Sequence, residues 1–290
     1  MIKILSTNIS AYSIVEKALL RSHGQIKSEI DNIYCFISPS SKDEELIKSL
    51  ILENTKILIL GKISNNLAEL IGLVNTNQKI DLNEISFDHD KKEDTSNLKI
   101  KYCEHQLNSN NPLTERCFFR FDFTNEWNNL GYGTITNDNS IWSLSQSLNE
   151  IDAQVLAHVY DDKKQISVFA SLKDFDNSSI LYINREVGLV DGLDWVMIED
   201  FFNVYRCNKL PSLPLIIDIP QGYDAVVSSR LDCDQSIINS RPLVELYKKY
   251  NINISLAIST GIKIEDNEIS FLNSFYDNGG AILSHTVNHY

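Results

Sequence analysis

Positive charge is scarce in this sequence. Lys and Arg number 26 against 39 Asp and Glu, a net charge of −13. A surface of that sign repels nucleic-acid backbones and anionic membranes, which excludes a broad nucleic-acid face and a membrane-surface role. Paired cysteines are also lacking. The five cysteines, Cys35, Cys103, Cys117, Cys207 and Cys233, are odd in number, widely spaced and never in a Cys-x-x-Cys pair. That excludes a disulfide framework and points to reduced thiols in a cytoplasmic protein. No apolar run approaches the about 20 residues of a membrane-spanning helix. The opening Met1-Ile2-Lys3-Ile4-Leu5-Ser6 reads as a strand, too short and polar for a secretory leader.

What remains is a folded, soluble composition, 43% hydrophobic and 22% charged over 290 residues, long enough for about two domains. Short apolar runs alternate with amphipathic stretches over the first seventy or so residues. Strands are expected at 2–5, 33–37 and 56–60. Helices are expected at 12–21, with Ile14, Val15, Ala18 and Leu19 on one face, at 42–52 and at 67–73. Ser41 with Glu44 has the spacing of a capping box for the second helix. This alternation implies parallel strands joined by right-handed crossovers, a doubly wound α/β domain.

Residues 75–97 are polar. The run Asp88-His89-Asp90-Lys91-Lys92-Glu93-Asp94 admits a metal patch around His89, but reads first as a solvated loop. Strands follow at 118–123, 131–135, 155–159, 166–170 and 180–183. His158, alone in one of them, reads as a core or edge histidine. Trp127, Trp142 and Trp195 offer a sugar-stacking set, against the ordinary reading of core aromatics. A helix is expected at 194–205. Then Lys209-Leu210-Pro211-Ser212-Leu213-Pro214 stops it and sets an extended linker. The domain boundary is placed there, giving domains 1–210 and 211–290.

The pattern Ile180-Leu181-Tyr182-Ile183 followed by Val190-Asp191-Gly192, with the strand order, resembles the glutamine-amidotransferase-like α/β domain carried by several sugar-modifying proteins. No cysteine stands in that chemistry's strand elbow: Cys35 lies inside a strand and Cys103 has no Gly-x-Cys-x-Gly frame. The resemblance therefore implies a binding or scaffolding module.

In residues 211–290, strands are expected at 215–219, 225–231, 252–258 and 281–283. Helices are expected up to Lys249, with Ser240 as N-cap and Pro242 inside the first turn, and at 265–276, closed by Asn278-Gly279-Gly280. The β-α-β-α-β order opens all carboxyl strand ends on one face, so Asp232, Asp234, His285 and His289 should share a rim. Asp232 and Asp234, two apart in an extended strand, point to the same side. Two imidazoles and a carboxylate are a common three-ligand set for zinc with a position left open.

These residues carry a more specific resemblance. Ser284-His285-Thr286-Val287-Asn288-His289 is similar to the His-[Ser/Thr]-x-x-His motif of NodB-type polysaccharide deacetylases, and Leu231-Asp232-Cys233-Asp234 resembles that family's first motif. The resemblance implies an irregular (β/α) barrel that removes acetyl groups from sugars with a divalent metal, most often zinc. It implies Asp234, His285 and His289 as metal ligands and Asp232 as the general base toward water. The sequence departs from the family in having Asp-x-Asp followed by Gln235 where the family has adjacent aspartates and glycine. The base and ligand roles could therefore be exchanged, or Cys233 could be the contacting residue. The family's later motifs have no counterpart here, so a truncated barrel of the first βα units in an incomplete chain, inactive by itself, is the expectation. Two other functions stay open: a non-catalytic carbohydrate-binding or scaffolding protein, and a metal-dependent amidohydrolase acting on a non-sugar amide.

Overall fold

The structure is a computed structural model that describes residues 2–24, 32–76, 87–88, 93–94, 98–108, 114–117, 141, 144–187, 195–216, 219, 222–261, 263–285 and 287. The chain forms two compact units, Met1–Ile216 and Ile217–Tyr290. Among the described residues no helix is long and apolar enough to cross a membrane. The expected strands at 118–123 and 131–135, with Trp127, Trp142, His89 and His289, lie outside the described residues.

The first unit runs β1 (Lys3–Ser6), α1 (Ile9–His23), β2 (Ile33–Ile37), α2 (Ser41–Leu50), β3 (Thr55–Leu60), α3 (Asn65–Leu70) and β4 (Leu73–Asn75). It continues with β5 (Phe87–Asp88), β6 (Glu93–Asp94), β7 (Leu98–Tyr102), β8 (Glu115–Cys117), β9 (Leu148–Glu150), β10 (Gln154–Asp161), β11 (Lys164–Asp174), β12 (Ser178–Ile183) and α4 (Val196–Phe202). An eight-stranded mixed sheet in the order β1-β2-β3-β12-β11-β10-β7-β8 organises it. The β1, β2, β3 and β12 strands are parallel, and the pairs from β12 to β8 are antiparallel. Every residue of β3 and β12 is buried, as befits strands covered on both faces.

Side chains set the helix starts. Asn8 accepts from the backbone N–H groups of Ser10 and Ala11 to open α1. The capping box of α2 is Ser40 with Asp43, one residue earlier than the expected Ser41 with Glu44. Glu44 instead turns inward and accepts from the Ser64 hydroxyl at 2.9 Å. Ser64 caps α3, which ends at Leu70, so Leu73 belongs to a strand rather than to the helix.

The faces of the sheet divide by residue parity. Cys35, Leu58, Leu60, Leu181 and Ile183 pack with α1 and α4, while Phe36, Ile57, Ile59, Ile180 and Tyr182 pack with α2 and α3. The β1-to-β2 and β2-to-β3 crossovers step the same way across the sheet, yet α1 and α2 lie on opposite faces. The two crossovers are therefore of opposite hand, and one breaks the strong right-handed preference. The expected doubly wound domain is corrected on this point: both faces are covered, but by crossovers of different hand.

Trp195 is fully buried and donates from Nε1 to Ser22 Oγ at 2.8 Å, so it is a core residue and no sugar platform. The proline-rich stretch from Pro211 on has no regular secondary structure and is docked: Leu213 N–H donates to Phe202 O, Ile216 N–H to Ser22 O, and His23 Nδ1 lies 3.0 Å from Pro214 O. Burial pushes the His23 imidazole pKa down. Lys56 and Arg185 are buried cations of the unit, and Arg206 is half-buried. Lys56 has no exposed surface, and its Nζ donates to Phe202 O at 3.4 Å. Arg206 donates to Phe175 O, Ser178 O, Ser179 Oγ and Asp176 O at 2.9 to 3.1 Å, clasping the β11–β12 turn.

The second unit holds β13 (Arg230–Cys233), α5 (Arg241–Lys249), β14 (Ser255–Ile258), α6 (Asp266–Asp277) and β15 (Ala281–Ser284). Its strands are parallel in the order β13-β14-β15. Leu231, Cys233, Leu256 and Ile258 form one core with Val244 and Tyr247 of α5 and Phe271 and Phe275 of α6. Both helices thus cover one face, as consecutive crossovers of the same hand require. Among the described residues the sheet is open and no barrel closes.

The strand expected at 225–231 begins only at Arg230, in β13, and residues 217 and 218 of the one expected at 215–219 lie outside the described residues. Leu215 and Ile216 are irregular, and so is the stretch 222–229. The apolar Ala225-Val226-Val227 run resembles a strand but pairs with no strand among the described residues, and Val226 and Val227 are 54% and 90% exposed. Ser240 also fails as a side-chain cap. A 3₁₀ turn, Ile238–Ser240, runs straight into α5, and the Ser240 hydroxyl donates back to Ile237 O at 2.6 Å.

Candidate active site

Parity decides what points away from the helices of the second unit. Asp232 pairs with Ala257, and Ala257 with Leu283, so these share the face opposite the helical core. Asp234 and His285 keep that parity one step beyond the strands. The register holds there because His285 N–H donates to Ile258 O at 2.8 Å. The structure thus brings Asp232, Asp234 and His285 together: His285 Nε2 lies 3.3 Å from Asp234 Oδ1 and 3.6 Å from Asp232 Oδ2.

Cys233, between the two aspartates, points the other way into the core. Burial pushes its thiol pKa up, and its role as the contacting residue is ruled out. Arg230, two residues before Asp232, donates from Nη2 to Asp232 Oδ2 at 3.1 Å, with Nε in ion-pair range of Oδ1 at 2.8 Å. This fixes the plane of the Asp232 carboxylate. Alternation along the strand is a signal that could have found Arg230.

Glu268, in the first turn of α6, supports the site from behind. One carboxylate oxygen accepts from Ile237 N at 2.8 Å, Ile238 N at 3.3 Å and Ser236 Oγ at 3.2 Å, and the other from Glu265 N at 3.2 Å. It therefore holds the loop that leaves Asp234. The Glu265–Glu268 spacing was the overlooked signal, since it is a capping-box spacing. The Glu265 backbone hydrogen bond, helped by those of Ile238 and Ile237, holds the Glu268 carboxyl below the usual range. The sign follows: the clasp is intact at neutral pH and loosens as pH falls through that lowered pKa. Glu268→Ala is expected to speed amide exchange at Ile237 and Ile238 by about tenfold, the loss of roughly one net hydrogen bond. Mass-spectrometric hydrogen exchange checks this, and unchanged protection would remove Glu268 from its role.

Among the described residues no group of three or more His, Cys, Asp or Glu side chains is arranged to hold a metal ion. The pair Asp234–His285 nevertheless suits one. Two donors at about 2.0–2.2 Å from a tetrahedral ion lie about 3.3–3.6 Å apart. The 3.3 Å between Asp234 Oδ1 and His285 Nε2 is that spacing. Asp232 is committed to Arg230 and stands beside the pair, within reach of a group held by it.

No family model matches the chain, and no curated protein matches it.

Proposed function

We propose that residues 211–290 are the leading βα units of an irregular (β/α) barrel of the NodB deacetylase type. In this reading the protein removes acetyl groups, N-linked ones first, from a sugar or polysaccharide. The observation that supports it is the convergence of Asp232, Asp234 and His285 at the carboxyl rim of three sequentially ordered parallel strands. Asp234 and His285, with His289 from the motif, would hold a divalent metal, and an imidazole–carboxylate donor set suits zinc. When bound, the ion supplies positive charge that polarises the acetyl carbonyl and acidifies water. Asp232 takes the proton of the attacking water and returns it to the departing amine when the C–N bond breaks. Arg230 keeps the Asp232 carboxylate oriented, and Glu268 keeps the loop after Asp234 in place.

The test, made on the full-length gene product, is zinc content and acetate release from an N-acetylated chito-oligosaccharide. Asp234→Asn and His285→Ala are expected to lower bound zinc at least tenfold and abolish acetate release. Asp232→Asn should keep zinc and lose about a hundredfold or more in rate, the general-base contribution. Acetate release that survives Asp232→Asn would overturn the assignment. Zinc retained without release from any acetylated sugar would favour a non-sugar amide substrate or a binding role.

A further inference from the structure

A second constellation stands in the first unit, independent of the deacetylase reading. Cys103, the residue after β7, has its Sγ 3.7 Å from His158 Nδ1. His158 Nε2 in turn lies 3.5 Å from Glu150 Oε2. Three strands bring the three groups together: Cys103, just after β7, donates its N–H to Leu156 O of β10, His158 lies within β10, and Glu150 ends β9. The β10–β11 register shifts on both sides of Ala157, immediately before His158. Bulges of this kind re-aim a side chain and are frequent beside active sites. The Glu150 carboxylate faces Nε2, which favours the tautomer protonated there and leaves Nδ1 as an acceptor toward the thiol.

We propose that Cys103, His158 and Glu150 form a thiol acyl-transfer site: nucleophile, general base and orienting carboxylate, acting on a small acyl ester or thioester. The sulfur attacks the carbonyl carbon, an S–C bond forms, and the bond to the leaving alkoxide or thiolate breaks. The thiol proton passes to His158 Nδ1 and from there to the leaving group. Water then hydrolyses the thioester, releasing the acid and restoring the thiol. The set is not the elbow arrangement of an amidotransferase, because Cys103 opens a loop after an antiparallel strand.

The electrostatics make His158 indispensable to this chemistry. Burial, and then the Glu150 charge, push the Cys103 thiol pKa up, so the resting sulfur carries its proton. Desolvation alone would raise Glu150 as well. Its own backbone hydrogen bond and the side-chain hydrogen bonds from His158 and Gln165 outweigh that and hold its carboxyl below the usual range. Glu150 therefore stays anionic at neutral pH, as an orienting group must. A thiol protonated at rest reacts only if a base removes the proton during attack.

The test uses the full chain and p-nitrophenyl acetate at neutral pH, with peptide mass spectrometry locating the acetyl group. Acetylation is expected first on the Cys103 peptide, ahead of the exposed Cys207. His158→Gln should slow it about a hundredfold and Glu150→Gln about tenfold, within the range for a lost general base and its orienter. Circular dichroism confirms the fold of each variant. If His158→Gln fails to fold, Glu150→Gln on the half-exposed β9 decides. Acetylation of Cys103 no faster than of Cys207, or at the parent rate in a folded variant, would make the set a structural hydrogen-bonded group.

Discussion

Gly72→Ala is expected to destabilise the first unit by about 3 kcal/mol, the sum of a left-handed backbone and a backbone overlap. Gly72 has φ +81°, a region alanine adopts at a cost. An added Cβ would overlap Asp152 Oδ1 and come 2.6 Å from Ala153 N and 2.9 Å from Asp152 C. Two of those atoms are backbone, so no rotamer change relieves the clash. The Gly72 carbonyl also accepts from Ile151 N, Asp152 N and Ala153 N at 2.8 to 3.2 Å, so any shift disturbs the turn that follows β9. Gly279→Ala is the control. Its φ is +85°, but nothing lies within 4 Å of the added Cβ, so about 1 kcal/mol is expected. Urea unfolding of both variants checks the pair, and equal losses would show that the overlap relaxes without cost.

Lys56→Met should do the reverse and stabilise the unit by about 2 kcal/mol at pH 7. The Lys56 ammonium pKa is pushed from 10.5 down to about 8, above all by burial, with Cys207 opposing and the Arg206 guanidinium adding a smaller push down. Below about pH 8 both folded and unfolded chains hold the proton, and the fold bears the full cost of a buried cation. Between 8 and 10.5 the unfolded chain binds a proton that the folded chain has released, so stability rises with pH across that window. Methionine fills similar volume without the charge, at the loss of the bond to Phe202 O and the contact with the Phe201 ring. The gain should shrink toward pH 10, where the native lysine is neutral in the fold. Denaturant titrations of both proteins at pH 7 and pH 10 test this, and a pH-independent difference would assign the effect to packing instead.

These features differ in how far a reader of the bare sequence could have seen them. The 33–37, 180–183 and 281–283 runs are apolar and bracketed by polar residues, and each lies within a strand of the structure. The run around Val226 and Val227 looks the same but forms none, because a strand needs a partner and local composition does not say whether one exists. The cap slipped by one residue because Ser40 and Ser41 both have an acidic residue three positions on. The insertion of β12 between β3 and β11 is non-local pairing, invisible to any window of sequence. At the candidate active site, the shared face of Asp232, Asp234 and His285 follows from simple alternation. Arg230 and Glu268 were overlooked because each acts on a neighbour of the motif rather than through it. Cys103, His158 and Glu150 had no legible signature at all. Their order along the chain carries no familiar spacing, and a register shift sets the direction of His158.

The place of β12 has a consequence for synthesis on the ribosome. β3 emerges early, with an edge that only β12 fills, and β12 is made only after β4 to β11. Until then Ile57, Leu58, Ile59 and Leu60 have one pairing side open on the nascent chain. An exposed apolar edge of this kind pairs readily with the wrong strand. Ribosome-bound chains released before Ser178 should therefore be captured by holdase chaperones far more than chains released after Ile183. Translation that slows between these two strands should lower the yield of folded protein.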